Sequence, residues 1–304
     1  GKIEKIYKDG LSQLDLYFAE VATEKAVNGY VTVFTGFAPT EDDEKLRKAF
    51  DDLGIYYTAE AATKEDNPPI KLRNNKFVSM FEMLTDMYGR PAYDGFDPTP
   101  FISIFFMLFF AFCMGDAGYG LILIVLGLLL KKVKSFASFS PLVVTLGAAT
   151  TVIGFLFHTF FRCDLATWAV IPDAVKKIFL PSKIMGFDGT MVLSIIVGIV
   201  HISLAMIVKT VMATRNKGFL NSLSTWGWTL LIVGGVVVGL FSLIGVLNAA
   251  ATKWAIIVLG VLSALGIFLL NNLHRNPLLN IGSGLWETYN TATGLLGDVL
   301  SYLR

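Results

Sequence analysis

Polar side chains able to do chemistry are scarce in the apolar two thirds of this chain, and the last segment holds the densest set. From residue 282 it reads GSGLWETYNTATGLLGDVLSYLR, which sets Glu287, Asp298, Ser301 and Arg304 among small and hydroxyl residues. Glu287 and Asp298 stand eleven residues apart, about three helical turns, so on a helix they share a face with Thr291 and Gly294. Arg304 lies six residues beyond Asp298 and points about 120° away from it. Ionisable groups at membrane depth cost several kcal/mol unless they are paired or hydrated. A helix patterned this way therefore suits a hydrated interface inside a protein better than contact with lipid.

A second set interrupts the first apolar run, where Gly115-Asp116-Ala117-Gly118-Tyr119-Gly120 stands. The glycines allow backbones to approach closely, and the carboxylate could cap a helix or meet a basic partner. The spacing favours Gly115, Asp116, Gly118 and Gly120 as a turn and helix-packing device. His158 and Arg162 lie four apart near the end of another run and read as an interfacial anchor on one helical face. His201 lies inside the 190–212 run, where a hydrogen bond to a neighbouring helix is favoured over lining a water path. Histidines at 158, 201 and 274 lack H-x-x-x-H spacing, so no zinc site is expected. Cys113 and Cys163 are too few for a disulfide framework or a metal knuckle. No P-loop is present, and no cofactor is expected.

The elements that must position these residues fall into two parts. Of the 304 residues, 54% are hydrophobic and 16% charged, against about 25% charged in soluble domains. Residues 1–97 carry 12 basic and 18 acidic side chains, whereas 98–304 carry 13 basic and 6 acidic. The pattern is that of an integral membrane protein with a soluble, acidic N-terminal part. A net charge of +1 and the lack of a basic, aromatic-laced patch argue against nucleic-acid binding.

In the soluble part, Ile3, Ile6, Leu14, Phe18 and Val21 make one apolar face of a helix over 1–27, a face that needs a partner helix. Tyr30–Phe37 reads as a strand. Thr40 opens a helix with Asp43 as a capping partner, Gly54 stops it, and Ile55–Ala59 reads as a second strand. Residues 1–76 thus form a helix, a strand–helix–strand module and a linker with Pro68-Pro69. Residues 77–100 form an amphipathic entry segment, either lying on the membrane surface or packing on the bundle. Residues 101–304 form the transmembrane domain, with helices expected at about 101–114, 118–133, 141–162, 190–212, 225–247, 253–271 and 282–304.

A span needs about 20 apolar residues. The run at 101–130 is long and broken, so it is either one tilted helix or a hairpin turning at the glycines. Lys131, Lys132 and Lys134 favour the hairpin, because basic residues stay cytoplasmic and a hairpin returns them to the side of the N-terminal part. Arg215, Lys217 and Arg275 then fall on that side too. Gly1 opens on an amphipathic stretch with no Met, and residue 304 falls within a helix, so a longer parent protein is expected.

Three stretches resemble one family, the membrane-embedded stator subunit of V/A-type rotary ATPases (subunit I in bacteria, subunit a in eukaryotes). MYGRPAYDGFDPTPF at 87–101 resembles the family's entry into its first membrane helix. FCMGDAGYG at 112–120 is similar to its F-x-x-M-x-G-D-x-G-[YH]-G signature. LLGDVLSYLR at 295–304 is similar to the segment bearing the essential arginine. The resemblance implies a mainly α fold: a polytopic membrane helix bundle with a small N-terminal cytoplasmic α/β and coiled-coil arm. It also implies that 101–130 forms two helices.

The implied function is passage of H⁺ or Na⁺ between aqueous half-channels and a rotating proteolipid ring, coupled to ATP hydrolysis or synthesis. The chain itself would be non-catalytic. Implied partners are the proteolipid ring, peripheral-stalk subunits, the soluble catalytic ATPase sector and the lipid bilayer. By the same resemblance Arg304 is the central ion-translocating residue, with Asp298, Ser301 and Glu287 as candidates for channel lining or helix positioning. The implied location is a bacterial inner membrane with a cytoplasmic N-terminal domain. Two other readings are a secondary ion-coupled transporter, which needs paired broken helices in internal repeats, and a non-conducting membrane anchor of a cytoplasmic complex.

Overall fold

The computed structural model describes residues 2–21, 23–26, 31–63, 65–93, 95–184, 186–271 and 276–303. Tyr30, His274, Arg275 and Arg304 lie outside the described residues. The chain divides into two compact units, one made of residues up to 73 with 90–95, the other of 74–89 with 96 onward.

The first unit opens with α1 (Lys2–Val21), whose apolar stripe stays exposed, with Ile6, Leu14, Phe18 and Val21 all about half to two-thirds accessible. Strands β1 (Glu24–Ala26) and β2 (Val31–Val33) pair antiparallel with Lys25 opposite Thr32. Residues 24–26 thus leave the helix that periodicity assigned to them, because an extended partner at 31–33 offers their backbone a ladder. A 3-10 turn at Thr40–Asp42 leads into α2 (Asp43–Leu53) with no side-chain cap bond, so Asp43 does not act as a capping partner. The helix stops as Gly54 takes φ 65°. The Ile55 N–H bonds to the Phe50 carbonyl at 2.9 Å and the Gly54 N–H to that of Asp51 at 3.1 Å, a Schellman ending. Ile55–Ala59, expected as a second strand, finds no ladder partner among the described residues and forms no strand.

The second unit is a mainly α, polytopic membrane helix bundle. A 3-10 turn at Val78–Phe81 runs into α3 (Glu82–Tyr88). Phe81 is fully buried with Leu142 and Leu146, flanked by Met80, Met83, Met107 and Phe110, so this amphipathic stretch packs on the bundle. The Thr85 and Thr99 hydroxyls, both buried, bond at 2.8 Å and tie it to the first membrane helix.

That helix is α4 (Thr99–Met114), followed by α5 (Ala117–Leu130) and α6 (Ser140–Leu156). The hairpin β3 (Thr159–Phe160) and β4 (Cys163–Asp164), α7 (Asp173–Lys176), and the hairpin β5 (Lys183–Ile184) and β6 (Phe187–Asp188) fill the connection to the next helix. Then come α8 (Gly189–Lys217), α9 (Leu223–Leu243), α10 (Ala249–Ala264) with a π-helical turn at Leu265–Leu269, and α11 (Pro277–Leu303). Four described helical segments, Ala137–Leu156, Gly189–Lys217, Leu220–Leu243 and Ala249–Leu269, are long and apolar enough to cross a membrane, whereas α4 and α5 are shorter apolar helices.

The course of 101–130 follows from close backbone contacts. A Cβ added at Gly154 would fall 2.1 Å from the Ala117 nitrogen, and one at Gly127 would fall 2.6 Å from a Val144 methyl. Helices α5 and α6 therefore run antiparallel. Helix α4 packs along α6 in the same sense as α6, since Met107 and Phe110 join Leu142 and Leu146 while Asp116 reaches Gly154. The chain reverses at Gly115–Asp116, and Lys131, Lys132 and Lys134 return to the end at which α4 begins. Helix α6 ends at Leu156, short of residue 162. His158, Phe161 and Arg162 all have positive φ, so His158 and Arg162 do not share a helical face.

Candidate functional site

Helix α11 has two unlike faces, and together they define the candidate site. Gly284, Glu287, Thr291, Leu295, Asp298 and Tyr302 fall on one side at helical spacing. At Gly284 an added Cβ would be 2.8 Å from the Phe268 ring and 2.9 Å from the Ile267 carbonyl oxygen, so only glycine lets α11 lie this close to the π-helical turn. Glu287 accepts a hydrogen bond from the Ser224 hydroxyl of α9 at 3.1 Å, and Ser224 is buried.

Toward its other end α11 is held by α8 and α4. The His201 Nδ1 and the Tyr302 hydroxyl lie 3.1 Å apart. The Ser194 hydroxyl donates to the Tyr302 carbonyl at 3.1 Å and to that of Met191 at 2.9 Å. His201 stacks on Phe105 with ring centroids 4.2 Å apart, and Tyr302 stacks on Phe109 at 4.7 Å. Gly198 leaves room for the phenol, because a Cβ there would sit 2.5 Å from the Tyr302 ring. Asp298 stands one turn before Tyr302 on the same face.

The opposite face is open. Trp286, Tyr289, Leu296 and Leu300 are 68%, 63%, 61% and 56% exposed, and an added Cβ at Gly297 on this face, or at Gly294 on the side of Glu287, would meet nothing within 4 Å. The Ser301 hydroxyl bonds back to the Gly297 carbonyl at 2.9 Å and reaches no other helix among the described residues. The structure thus places Glu287 half-buried against α9, leaves Asp298 exposed one turn before Tyr302, and sets Ser301 at the exposed edge of α11.

The Asp116 set makes its contacts elsewhere. Asp116 is 3% exposed and caps α5, its Oδ1 accepting the N–H of Gly118 at 2.8 Å and of Tyr119 at 3.3 Å. The same carboxylate takes the Phe161 N–H on Oδ1 at 2.9 Å and the Arg162 N–H on Oδ2 at 2.8 Å. Phe161 and Arg162 are the two turn residues between β3 and β4, with φ 46° and 62°; positive φ at both is the requirement of a type I′ hairpin turn. Gly115 turns the chain with φ 53°, an added Cβ at Gly118 would strike the Phe161 ring at 2.7 Å, and one at Gly120 would lie 2.4 Å from the Thr151 nitrogen. His158 bonds through Nδ1 to Asp164 at 2.9 Å. Among the described residues no group of three or more His, Cys, Asp or Glu could hold a metal ion.

With this geometry in view, the chain was compared with known proteins. A family model described as the V-type ATPase 116 kDa subunit family matches residues 18–139, which include the α4–α5 break and its Asp116 cap. The A-type ATP synthase subunit I of Pyrococcus abyssi is 29% identical over 281 residues, covering 88% of this chain and 40% of that protein. That alignment extends well past the family match, across most of the bundle. The chain is similar to subunit I of A-type and V-type ATP synthases along most of its length. Another subunit I of an A-type ATP synthase, from Archaeoglobus fulgidus, is 35% identical over 153 residues, 49% of this chain and 22% of that protein. The V-type ATP synthase subunit I of Borreliella burgdorferi is 25% identical over 318 residues, 97% of this chain and 50% of that protein. The chain spans between about a fifth and a half of the length of these relatives.

Similarity to this family and four described helices of membrane length make the chain a membrane protein. Two features of the site went unread in the sequence. Tyr302 carries the contacts of the last turn of α11, and the only signal for it was an amphipathic aromatic four residues after a carboxylate. The Phe161–Arg162 turn had no signal, because neither residue is Gly, Asn or Asp.

Proposed function

We propose that this chain is the membrane-embedded stator part of a V/A-type rotary ATPase, with the open face of α11 turned toward a rotating ring of proteolipid helices. The observation that carries the reading is the division of α11 into a side held by α9, α8 and α4 and an open apolar side. Among the described residues Trp286, Leu296 and Leu300 leave an exposed stripe, and Gly297 keeps it shallow. A neighbouring helix could therefore pass close to it. Similarity to subunit I of ATP synthases supports the same role.

The chemistry follows from the residue types. A proteolipid ring presents carboxylates at membrane depth, and an opposite charge within about 4–6 Å lowers a carboxylate pKa by about 1–3 units. A fixed guanidinium at position 304 would favour the ionised form of each carboxylate as it arrives and so release its H⁺ or Na⁺. Arginine suits this place because it stays charged where a lysine can lose its proton on burial. It would also block ions from crossing directly between half-channels. Glu287, against α9, and Asp298, exposed nearer the end of α11, are eleven residues apart, about 16 Å along the axis, a separation that would suit separate aqueous approaches. Lys131, Lys132, Lys134, Arg215 and Lys217 support a cytoplasmic side shared with the start of α4, in a bacterial plasma membrane. The chain itself binds no nucleotide and works with peripheral-stalk subunits and a soluble catalytic sector.

The test is Arg304→Ala in the whole complex reconstituted into vesicles. ATP-driven ion uptake should fall to background while native mass spectrometry still finds the proteolipid ring beside this subunit. Uptake at the wild-type rate in an intact complex would sink the stator reading and leave a non-conducting anchor.

A further inference from the structure

His201 lies within a membrane span and has no part in the function proposed above. Its ring is fixed on two sides, stacked on Phe105 at 4.2 Å and joined through Nδ1 to the Tyr302 hydroxyl at 3.1 Å. Tyr302 is gripped in turn by Phe109 at 4.7 Å, by the Ser194 hydroxyl at 3.1 Å and by the hollow that Gly198 leaves. These contacts come from two helices and converge on one residue in the last described turn of α11. A long helix anchored at one point near its end can still roll about its axis. The ring contacts alone limit this roll weakly, because stacked rings slide. A directional bond to the far end of the phenol resists rolling best, since the hydroxyl stands farthest from the helix axis.

We propose that His201 is a positioning residue that acts through Tyr302 to fix the rotation of α11 about its own axis, and so sets the direction in which its open face looks. The proposal rests on the stator reading and deepens it. Helical spacing puts Leu300 about 200° from Tyr302, with Gly297 on the same side as Leu300. When Tyr302 is turned into the α8–α4 wall, Leu300 and Gly297 are turned out of it. A roll of about 40° is less than half the angle between successive helical residues, yet it would swing that face off the line of the ring. The bond serves this purpose whichever ring nitrogen carries the proton, since Nδ1 and the hydroxyl can each donate or accept.

The experiment uses the whole complex in vesicles, with ATP hydrolysis and ion uptake measured on the same preparation. His201→Phe keeps the stack on Phe105 and removes the bond, Tyr302→Phe keeps the stack on Phe109 and removes the hydroxyl, and His201→Asn restores a hydrogen-bonding atom near the position of Nδ1. Each Phe variant should lower the ions moved per ATP about fivefold, the fold-change that corresponds to one hydrogen bond. The double variant should be no worse than either single one, because both remove the same bond, and His201→Asn should recover at least half of the loss. Wild-type coupling in either Phe variant, losses that multiply in the double variant, or an Asn variant as impaired as the Phe variant overturns the proposal. Native mass spectrometry checks that each complex is assembled, and Tyr302→Phe, the mildest change, carries the test should His201→Phe fail to assemble. Arg304→Ala run in parallel separates the two ideas. Full uptake there sinks the stator reading, while loss there with unchanged His201→Phe sinks only the positioning role.

Discussion

Replacing Asp116 separates a structural carboxylate from an ion-carrying one. Its two oxygens accept four backbone N–H groups, of Gly118, Tyr119, Phe161 and Arg162, at 2.8–3.3 Å, and the residue is 3% exposed. Asp116→Ala removes the N-cap of α5, worth about 1 kcal/mol. It also strands the Phe161 and Arg162 N–H groups, at about 1 kcal/mol each for partly buried donors, for a total of about 3 kcal/mol. Asp116→Asn behaves differently. The amide oxygen can still take the three donors on Oδ1, while the NH₂ faces the Arg162 N–H donor to donor, costing about 1–2 kcal/mol. At about 2–4 °C of melting temperature per kcal/mol for a chain of this size, the Ala variant should melt about 9 °C below wild type and the Asn variant about 4 °C below. Scanning calorimetry or tryptophan fluorescence in mild detergent reads both. An Asn variant that melts like wild type but loses ion uptake would refute the structural reasoning and make Asp116 a transport group. Equal shifts for Asn and Ala would refute the assignment of three donors to one oxygen.

Other changes test the packing that surrounds it. Gly154→Ala should cost about 1–3 kcal/mol, because the new Cβ lands 2.1 Å from the Ala117 nitrogen, whereas Gly235→Ala, with nothing within 4 Å, should not destabilise; thermal melts compare the pair. Phe81→Ala should cost about 3–5 kcal/mol, since Phe81 is fully buried, and Met87→Ala should stay within about 0.5 kcal/mol, since Met87 is 77% exposed; a membrane-surface segment would give two equal effects. The Asp188 carboxyl, at the entry to α8, is held below its ordinary pKa by the Thr190 hydroxyl and backbone N–H. Its contribution is therefore complete above the unfolded value near 3.9 and is lost as pH falls through the lower folded value. Thr190→Val should weaken it and move the acid-unfolding midpoint upward, as followed by circular dichroism.

What could be read from the sequence follows how far apart the interacting groups lie along the chain. The membrane helices were legible because each must carry about 20 apolar residues with its backbone bonds satisfied internally. The break at Gly115-Asp116 was legible too, because a left-handed glycine followed by an N-cap aspartate is a local signal. The end of α6 was not. Phe157, Phe160 and Phe161 continue the apolar run past Leu156, and the turn that replaces the helix is stabilised by Asp116, about 45 residues earlier. The β1–β2 hairpin fails in the same way, since Glu24–Ala26 carries a helical pattern and extends only because of a partner strand. Glu287 and Asp298 could be placed on one face of a helix from spacing alone, but Ser224, the partner of Glu287, and His201, the partner of Tyr302, come from helices that spacing does not relate.

The asymmetry of α11 ties these strands together. A helix carrying Glu287 at membrane depth must either bury it against a polar partner or leave it hydrated, and α11 sets Glu287 against the Ser224 hydroxyl of α9 while Tyr302 meets His201 of α8. On the other side it exposes an apolar stripe that includes Gly297, the reverse of an amphipathic helix at a water-facing surface. Lipid alone would tolerate such a stripe without requiring the glycine. Gly297 costs helix propensity, about 1 kcal/mol relative to alanine, and among the described residues nothing lies within 4 Å of a Cβ added there. On the function proposed above, close approach of a passing ring helix offsets that cost. Gly297→Leu should therefore leave the melting temperature of the isolated chain unchanged or raised while slowing ATP-driven rotation of the whole complex. A variant that melts lower as an isolated chain would show that the glycine serves the fold itself, and would remove this argument for the ring.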